Sequence, residues 1–138
     1  MAMIGVLIIA HDTLPDSLVK AVTHVLGVRP PQFETLSVLA SDDPFNLLPG
    51  ARDLVRRLDT GDGVLIFSDI YGATPCNLAG KLQVPGRVEL VAGVNLPMLV
   101  RAFTYRVKGM DTMITKANHT FPNLNHIRRR PVGSKNTG

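Results

Sequence analysis

The chain has 138 residues, 45% of them hydrophobic, and a formal net charge of +4 at pH 7. This length suits one domain with a buried core, and no apolar run is long enough to span a bilayer. Four basic and no acidic residues follow position 118, so the rest of the chain sums to 4 − 4 = 0 and nucleic-acid binding is not predicted.

The hydrophobic pattern predicts strands and helices that alternate along the chain. Short apolar runs predict four β-strands, at about residues 3–10, 33–39, 64–68 and 87–92. Apolar residues at helical spacing predict helices at about residues 14–27, from a start signal at 41–44 to 58, at 75–82, from a start signal at 95–97, and at 111–117. Pro15 lies in the first turn of the first helix, and Gly27 stops it.

This alternation predicts an α/β fold. Strand-helix-strand units with short connections form a parallel sheet that is covered by helices on both faces. We expect a doubly wound sheet with strand order 2-1-3-4, in a single domain at residues 1–117. Residues 118–138 form a polar, basic tail without periodicity, which we expect to be loosely ordered.

Two of the predicted strands end in side chains suited to acid–base or nucleophilic chemistry. His11 follows the first strand, and Asp69 follows the third. Ligands of doubly wound sheets bind at the carboxyl ends of the strands, at the point where the strand order reverses. With the order 2-1-3-4 this point lies between strands one and three, so we expect His11 and Asp69 to share one crevice.

The residues after Asp69 are typical of an anion-binding turn. Gly72 permits a tight turn, and Thr74 before a proline is typical of an N-cap and a first helical turn. The helix start would offer backbone N–H groups, and Thr74 a hydroxyl, to an anion. A carboxylate that fixes the tautomer of His11 leaves its other ring nitrogen free as a nucleophile. Together these features favour reversible phosphoryl transfer.

Simpler interpretations of the same residues stay open at this point. A histidine at a strand end is often a hydrogen-bonded loop residue, and Asp69 alone could cap a turn. The single Cys76 excludes an internal disulfide and suits a reducing cytoplasm, and we interpret it as a packing residue. The sequence has no Walker loop, no G-x-G-x-x-G and no acidic pair at metal-ligand spacing, so neither a nucleotide cofactor nor a metal is predicted.

Three segments of the chain resemble a known protein family. They are IGVLIIAHDTLPDSLVKA, with a histidine directly after a strand, GVLIFSDIYGATPCNLA and VAGVNLPMLVRA. The second matches the pattern strand-Asp-x-x-Gly-[Gly/Ala]-[Ser/Thr]-Pro-x-Asn, and the third matches Gly-x-Asn-[Leu/Ile]-Pro-Met-Leu. Over about residues 3–116 the chain is similar to the enzyme IIA components of the bacterial phosphotransferase system (PTS), mannose/fructose/sorbose type.

The resemblance implies an activity and roles for individual residues. His11 falls at the family's phosphorylated histidine, Asp69 at the carboxylate that orients it, and Thr74 at a small hydroxyl residue near the phosphoryl group. With Gly72 and Ala73, Thr74 forms the predicted phosphoryl-binding turn. The implied activity is that of a phosphotransferase, which takes a phosphoryl group from phospho-HPr onto Nε2 of His11 and passes it to a IIB protein in sugar uptake. The family also implies a flavodoxin-like sheet, a cytoplasmic homodimer without a bound cofactor, and membrane association only through a permease complex.

Two features depart from the family pattern. We expect a stand-alone IIA, without a following IIB domain or linker, whose acceptor is a separate IIB protein. The tail, with Pro122 and Pro131, does not resemble the segment that some members exchange as an edge strand across the dimer.

A second hypothesis is a regulatory module whose phosphorylation state at His11 controls partner binding. A third is a flavin or small-anion binder, although only Tyr71 and Tyr105 are available for stacking on a flavin.

Overall fold

The computed structural model describes residues 2–119, in which four strands and five α-helices alternate. The strands are β1 (Gly5–His11), β2 (Phe33–Val38), β3 (Val64–Ser68) and β4 (Val88–Val91). The helices are α1 (Leu14–Leu26), α2 (Pro44–Leu58), α3 (Thr74–Gly80), α4 (Leu96–Thr104) and α5 (Met110–Asn118), and a short 3-10 turn lies at Arg106–Lys108. The prediction of a loosely ordered tail concerns residues 118–138, nearly all of which lie outside the described residues.

The four strands form one parallel sheet in the order β2-β1-β3-β4. The predicted order 2-1-3-4 is therefore confirmed, and the direction of the connections reverses between β1 and β3. Ile9 of β1 lies between Leu36 of β2 and Ser68 of β3, and His11 pairs with Val38. This register places the carboxyl ends of β1 and β3 side by side.

A hydrophobic core lies on each face of the sheet. Strand side chains alternate between the cores: Val6 and Ile8 pack into one, and Leu7 and Ile9 pack into the other. The first core takes its helical residues from α1, α4 and α5, and the second takes them from α2 and α3. Because a slip of one residue would exchange the two faces, this double burial fixes the register that positions the end of β1.

The observed element ends differ from the predicted ones at places that bear on the site. β1 extends to His11, one residue beyond the predicted end, because His11 pairs with Val38 of β2. The prediction that Thr74 is the N-cap of the third helix is wrong. Thr74 is the first residue of α3, and Ala73 occupies the cap position in an extended conformation without a side-chain hydrogen bond. A proline lies in the first turn, as predicted.

Candidate phosphoryl-transfer site

The side chains of His11 and Asp69 meet at the carboxyl edge of the sheet. Nδ1 of His11 lies 2.7 Å from Oδ2 of Asp69. The same oxygen accepts a hydrogen bond of 3.0 Å from the backbone N–H of His11. Asp69 therefore holds both the ring and the backbone of His11.

The hydrogen bonds around Asp69 keep its carboxyl group ionised at neutral pH. Burial, which leaves 9% of the side chain exposed, pushes the pKa of Asp69 upward. The hydrogen bonds from the backbone N–H and the ring of His11, and from the backbone N–H of Ile70, outweigh burial and lower that pKa overall. An ionised carboxylate only accepts hydrogen bonds, so Nδ1 of His11 carries the hydrogen and donates it. In the neutral ring the lone pair then lies on Nε2.

The ring of His11 is half-exposed, and its Nε2 atom has no hydrogen-bond partner among the described residues. The His11 side chain is 46% exposed, and within residues 2–119 its only hydrogen bond is the one from Nδ1 to Asp69. The next residue, Asp12, adopts a φ of +54°, a left-handed conformation that ends the strand directly after His11. An exposed ring nitrogen in a fixed tautomer is suited to nucleophilic attack.

A glycine turn connects Asp69 to α3. Gly72 has a φ of +84°, which a residue with a side chain rarely adopts. The side-chain Nδ2 of Asn77 donates a hydrogen bond of 3.1 Å to the carbonyl oxygen of Gly72 and so ties α3 back to the turn. No side chain caps α3, so the backbone N–H groups of its first turn, which Pro75 lacks, have no capping partner in the described chain.

The predicted phosphoryl-binding residues Gly72, Ala73 and Thr74 lie on this turn, in the same loop as Asp69. Gly72 and Thr74 are exposed, and Ala73 is half-buried. No hydrogen bond in the described part of the chain joins any of the three to His11. The structure therefore brings His11 and Asp69 into contact, while Gly72, Ala73 and Thr74 follow Asp69 along the chain without a hydrogen bond to His11.

The loop between β4 and α4 also contacts Asp69, and the sequence assigned it no part in the site. The backbone N–H of Gly93 donates a hydrogen bond of 2.9 Å to the carbonyl oxygen of Asp69. The Asn95 side chain accepts a hydrogen bond of 3.0 Å from the backbone N–H of Met98 and caps α4. The sequence predicted a helix start at residues 95–97 and matched them to a segment of the family pattern, but it predicted no role in the site for them.

The remaining candidate residues form no second site in the described chain. Within residues 2–119, no three His, Cys, Asp or Glu side chains are grouped closely enough to hold a metal ion. Cys76 is buried in α3. None of the helices in this same part of the chain combines the length and the apolar character needed to cross a bilayer.

The chain matches one family model and several curated sequences. A family model described as "PTS system fructose IIA component" matches residues 5–118. The PTS system mannose-specific EIIAB component of Escherichia coli (strain K12) is 29% identical over 104 residues, which are 75% of this chain and 32% of that protein. The chain therefore spans about a third of the length of the curated relatives that it matches.

Comparison with solved structures supports the fold. The phosphotransferase system component EIIA from Streptococcus agalactiae superposes with a TM-score of 0.75 at 21% identity, over 86% of this chain and 92% of that one. The mannose/sorbose specific IIA subunit from Enterococcus faecalis gives a TM-score of 0.76 at 18% identity, over 88% of this chain and 92% of that one. The predicted α/β class and sheet order are thus shared with solved structures, and at these identities the likeness concerns the fold.

Proposed function

Because the chain belongs to the PTS system fructose IIA component family, we propose that it is a phosphotransferase that carries a phosphoryl group on Nε2 of His11. The donor is phospho-HPr, and the acceptor is a IIB protein that serves sugar uptake. The observation that carries this proposal is the contact of 2.7 Å between Nδ1 of His11 and the Asp69 carboxylate. This contact leaves Nε2 as the exposed ring nitrogen with a lone pair.

The contact with Asp69 accounts for both directions of the transfer. In the forward step the lone pair of Nε2 bonds to phosphorus, and the bond between phosphorus and the donor breaks. The imidazole ring becomes positive, Nδ1 keeps its hydrogen, and the Asp69 carboxylate stabilises the charge. In the return step a nucleophile of the acceptor bonds to phosphorus, and the electron pair of the P–N bond goes back to Nε2. No proton has to leave the His11–Asp69 pair in either step.

The turn at 72–74 is assigned to the phosphoryl oxygens in this proposal. Thr74, the first residue of α3, is exposed and offers its hydroxyl and its backbone N–H as donors shortly after Asp69 in the chain. Ile70 and Tyr71 are also exposed and lie between Asp69 and this turn. An exposed apolar pair that directly follows Asp69 in the chain supports a donor that is a protein.

Phosphoryl uptake from phospho-HPr tests the proposal directly. Wild-type protein incubated with phosphoenolpyruvate, enzyme I and HPr is expected to gain one acid-labile phosphoryl group by intact mass. His11→Ala is expected to gain none, because the accepting nitrogen is absent. His24→Ala is the matched control, since His24 is an exposed histidine on α1 and is expected to leave uptake unchanged. A folded His11→Ala protein that is still labelled would overturn the assignment of His11.

Transfer of the phosphoryl group to a IIB protein distinguishes the carrier hypothesis from the regulatory-module hypothesis. Purified phosphorylated protein mixed with a IIB protein is expected to lose its label to that protein. Retention of the label, together with a set of binding partners that changes on phosphorylation, would instead favour the regulatory hypothesis.

The homodimer and the cytoplasmic location stay predictions, and sedimentation of the full chain tests the first of them.

A further inference from the structure

Asp69 lies one residue beyond the end of β3, so the strand ladder does not account for the position of its backbone. The loop after β4 supplies that support. The backbone N–H of Gly93 donates to the carbonyl oxygen of Asp69 at 2.9 Å, and the N–H of Val94 donates to that of Ser68 at 2.9 Å. These two bonds join the loop that follows β4 to the end of β3. The two peptide groups that flank the Cα of Asp69 are therefore both held by the loop.

The side chain of Asn95 shapes this loop from both ends of its amide group. Its Oδ1 accepts the hydrogen bond from Met98 that caps α4. Its Nδ2 donates a hydrogen bond of 3.2 Å to the carbonyl oxygen of Gly93. That carbonyl belongs to the Gly93–Val94 peptide, whose N–H donates to the carbonyl oxygen of Ser68, and Gly93 itself has a φ of +80°. Asn95 thus couples the helix start to the peptide that holds the Ser68 carbonyl directly before Asp69.

We propose that Asn95 is a positioning residue for His11, acting through the Gly93–Val94 peptide and Asp69. The bond from Nδ2 fixes that peptide, and the N–H of Val94 in turn holds the carbonyl of Ser68, which belongs to the Ser68–Asp69 peptide. The Asp69 carboxylate then meets Nδ1 of His11 at 2.7 Å. Loss of the Nδ2 donor lets the Gly93–Val94 peptide turn and widens the range of Asp69–His11 distances. The tautomer that leaves the lone pair on Nε2 then becomes less dominant.

The positioning role of Asn95 can be tested separately from its capping of α4, because the two roles use different atoms of the amide, Nδ2 and Oδ1. Asn95→Asp and Asn95→Ser both keep an oxygen that can cap α4, and Asn, Asp and Ser are about equal as N-caps. Both lose the amide donor to Gly93, and only the Asp variant adds a charge. A change common to both variants therefore reports the lost donor.

The control removes a cap that lies away from Asp69. Asp43 caps α2 by accepting from the backbone N–H of Phe45 at 3.0 Å. Within residues 2–119 the Asp43 side chain bonds neither Asp69 nor His11. Asp43→Ala therefore lowers stability without touching the proposed coupling.

The decisive measurement is the nitrogen NMR spectrum of the His11 ring in unphosphorylated protein, where the shifts of Nδ1 and Nε2 report the tautomer ratio. Both Asn95 variants are expected to lower the ratio of the Nδ1–H to the Nε2–H tautomer about fivefold, the factor that corresponds to the net free energy of one neutral hydrogen bond. Asp43→Ala is expected to leave this ratio unchanged. An unchanged ratio in Asn95→Ser, or an equal change in Asp43→Ala, would overturn the proposal.

The kinetic consequence rests on the proposed phosphoryl transfer, whereas the tautomer ratio does not. With phospho-HPr as donor, both Asn95 variants are expected to take up the phosphoryl group several-fold more slowly, because a looser Asp69–His11 contact also stabilises the developing imidazolium less. A shifted ratio without any uptake, even in wild-type protein, would keep Asn95 as a positioning residue and remove the carrier function. Normal uptake with a shifted ratio would contradict the link between the two.

Discussion

At the scale of single residues, the Asp69 carboxylate determines what His11 can do. A histidine at a strand end without a partner would exchange between its two neutral tautomers. Here one carboxylate oxygen accepts from both the ring Nδ1 and the backbone N–H of His11. The ring is thereby held in one tautomer and in one orientation relative to β1.

Replacing Asp69 is expected to slow the proposed transfer and to keep the fold. Asp69→Asn removes the charge that stabilises the imidazolium, and its amide can present either a donor or an acceptor to Nδ1. We expect phosphoryl uptake to fall about 10- to 100-fold, the range for groups that orient a reactive histidine. Quench-flow labelling with phospho-HPr measures the rate, and circular dichroism checks the fold. Uptake at the wild-type rate would show that Asp69 has no such role.

The lowered pKa of Asp69 also predicts how stability depends on pH. A carboxyl group with a lower pKa in the folded state than the usual 3.8 contributes stability above that value. This contribution is lost as the pH falls through the folded-state pKa. Urea denaturation at about pH 6 and about pH 3 should show a smaller difference between wild type and Asp69→Asn at the lower pH. A difference that grows on acidification would contradict the hydrogen bonding described for Asp69.

At the scale of elements, the turns that precede β3 and β4 require glycines with positive φ. Gly63 precedes β3 with a φ of +87°, and a Cβ added there would lie 2.2 Å from the carbonyl oxygen of Arg87. Gly86, in the connection before β4, has a similar φ of +79°, but an added Cβ meets nothing within 4 Å. The two glycines share a conformation and differ in the space around them.

This difference predicts unequal effects of two identical substitutions. Gly86→Ala should cost about 1–2 kcal/mol, from the left-handed backbone alone. Gly63→Ala should cost at least about 2 kcal/mol more, because the backbone of Arg87 must also move. Urea titration of both variants measures the free energies of unfolding. Equal losses in the two proteins would show that crowding at Gly63 is relieved without cost.

Elements and their order follow from sequence pattern, whereas the loops that complete the site do not. The apolar run before Ser68 and the double burial of β1 made the parallel sheet predictable, and the strand ends pointed to His11 and Asp69. The cap at α3 was mispredicted because Thr74 has the usual hydroxyl, while the extended backbone is that of Ala73. The part played by Gly93 was missed because it depends on a backbone hydrogen bond between two loops, which no periodicity records.

At the scale of the whole molecule, Arg106 ties the last third of the described chain to the start of the sheet. It is 8% exposed, and its guanidinium donates hydrogen bonds to the carbonyl oxygens of Ile4, at 2.7 Å, and Gln32, at 3.0 Å. Burial lowers the pKa of Arg106 to about 10, so the group is still charged at neutral pH. It also lies over the ring of Phe103. A basic residue in a short 3-10 turn gave no sequence signal for a contact made across 102 positions.

Removing the Arg106 hydrogen bonds is expected to destabilise the whole domain. Arg106→Met removes the hydrogen bonds to the carbonyl oxygens of Ile4 and Gln32, of which the latter keeps its bond from the N–H of Val6, and should cost about 2–3 kcal/mol. Arg101→Met is the matched control, because the buried Nε of Arg101 has no hydrogen-bond partner among the described residues. That variant loses mainly its contact with the Tyr105 ring and should cost about 1 kcal/mol or less. Chemical denaturation compares the two, and similar losses would refute the structural role given to Arg106.

The central claim is that the phosphoryl group is carried on Nε2 of His11 because Asp69 occupies Nδ1. The most direct test is a nitrogen–phosphorus NMR correlation on ring-labelled protein after incubation with phospho-HPr. The account predicts one phosphorus atom coupled to Nε2 of His11, with Nδ1 still protonated. Coupling to Nδ1, or phosphorus on any other side chain, would contradict it.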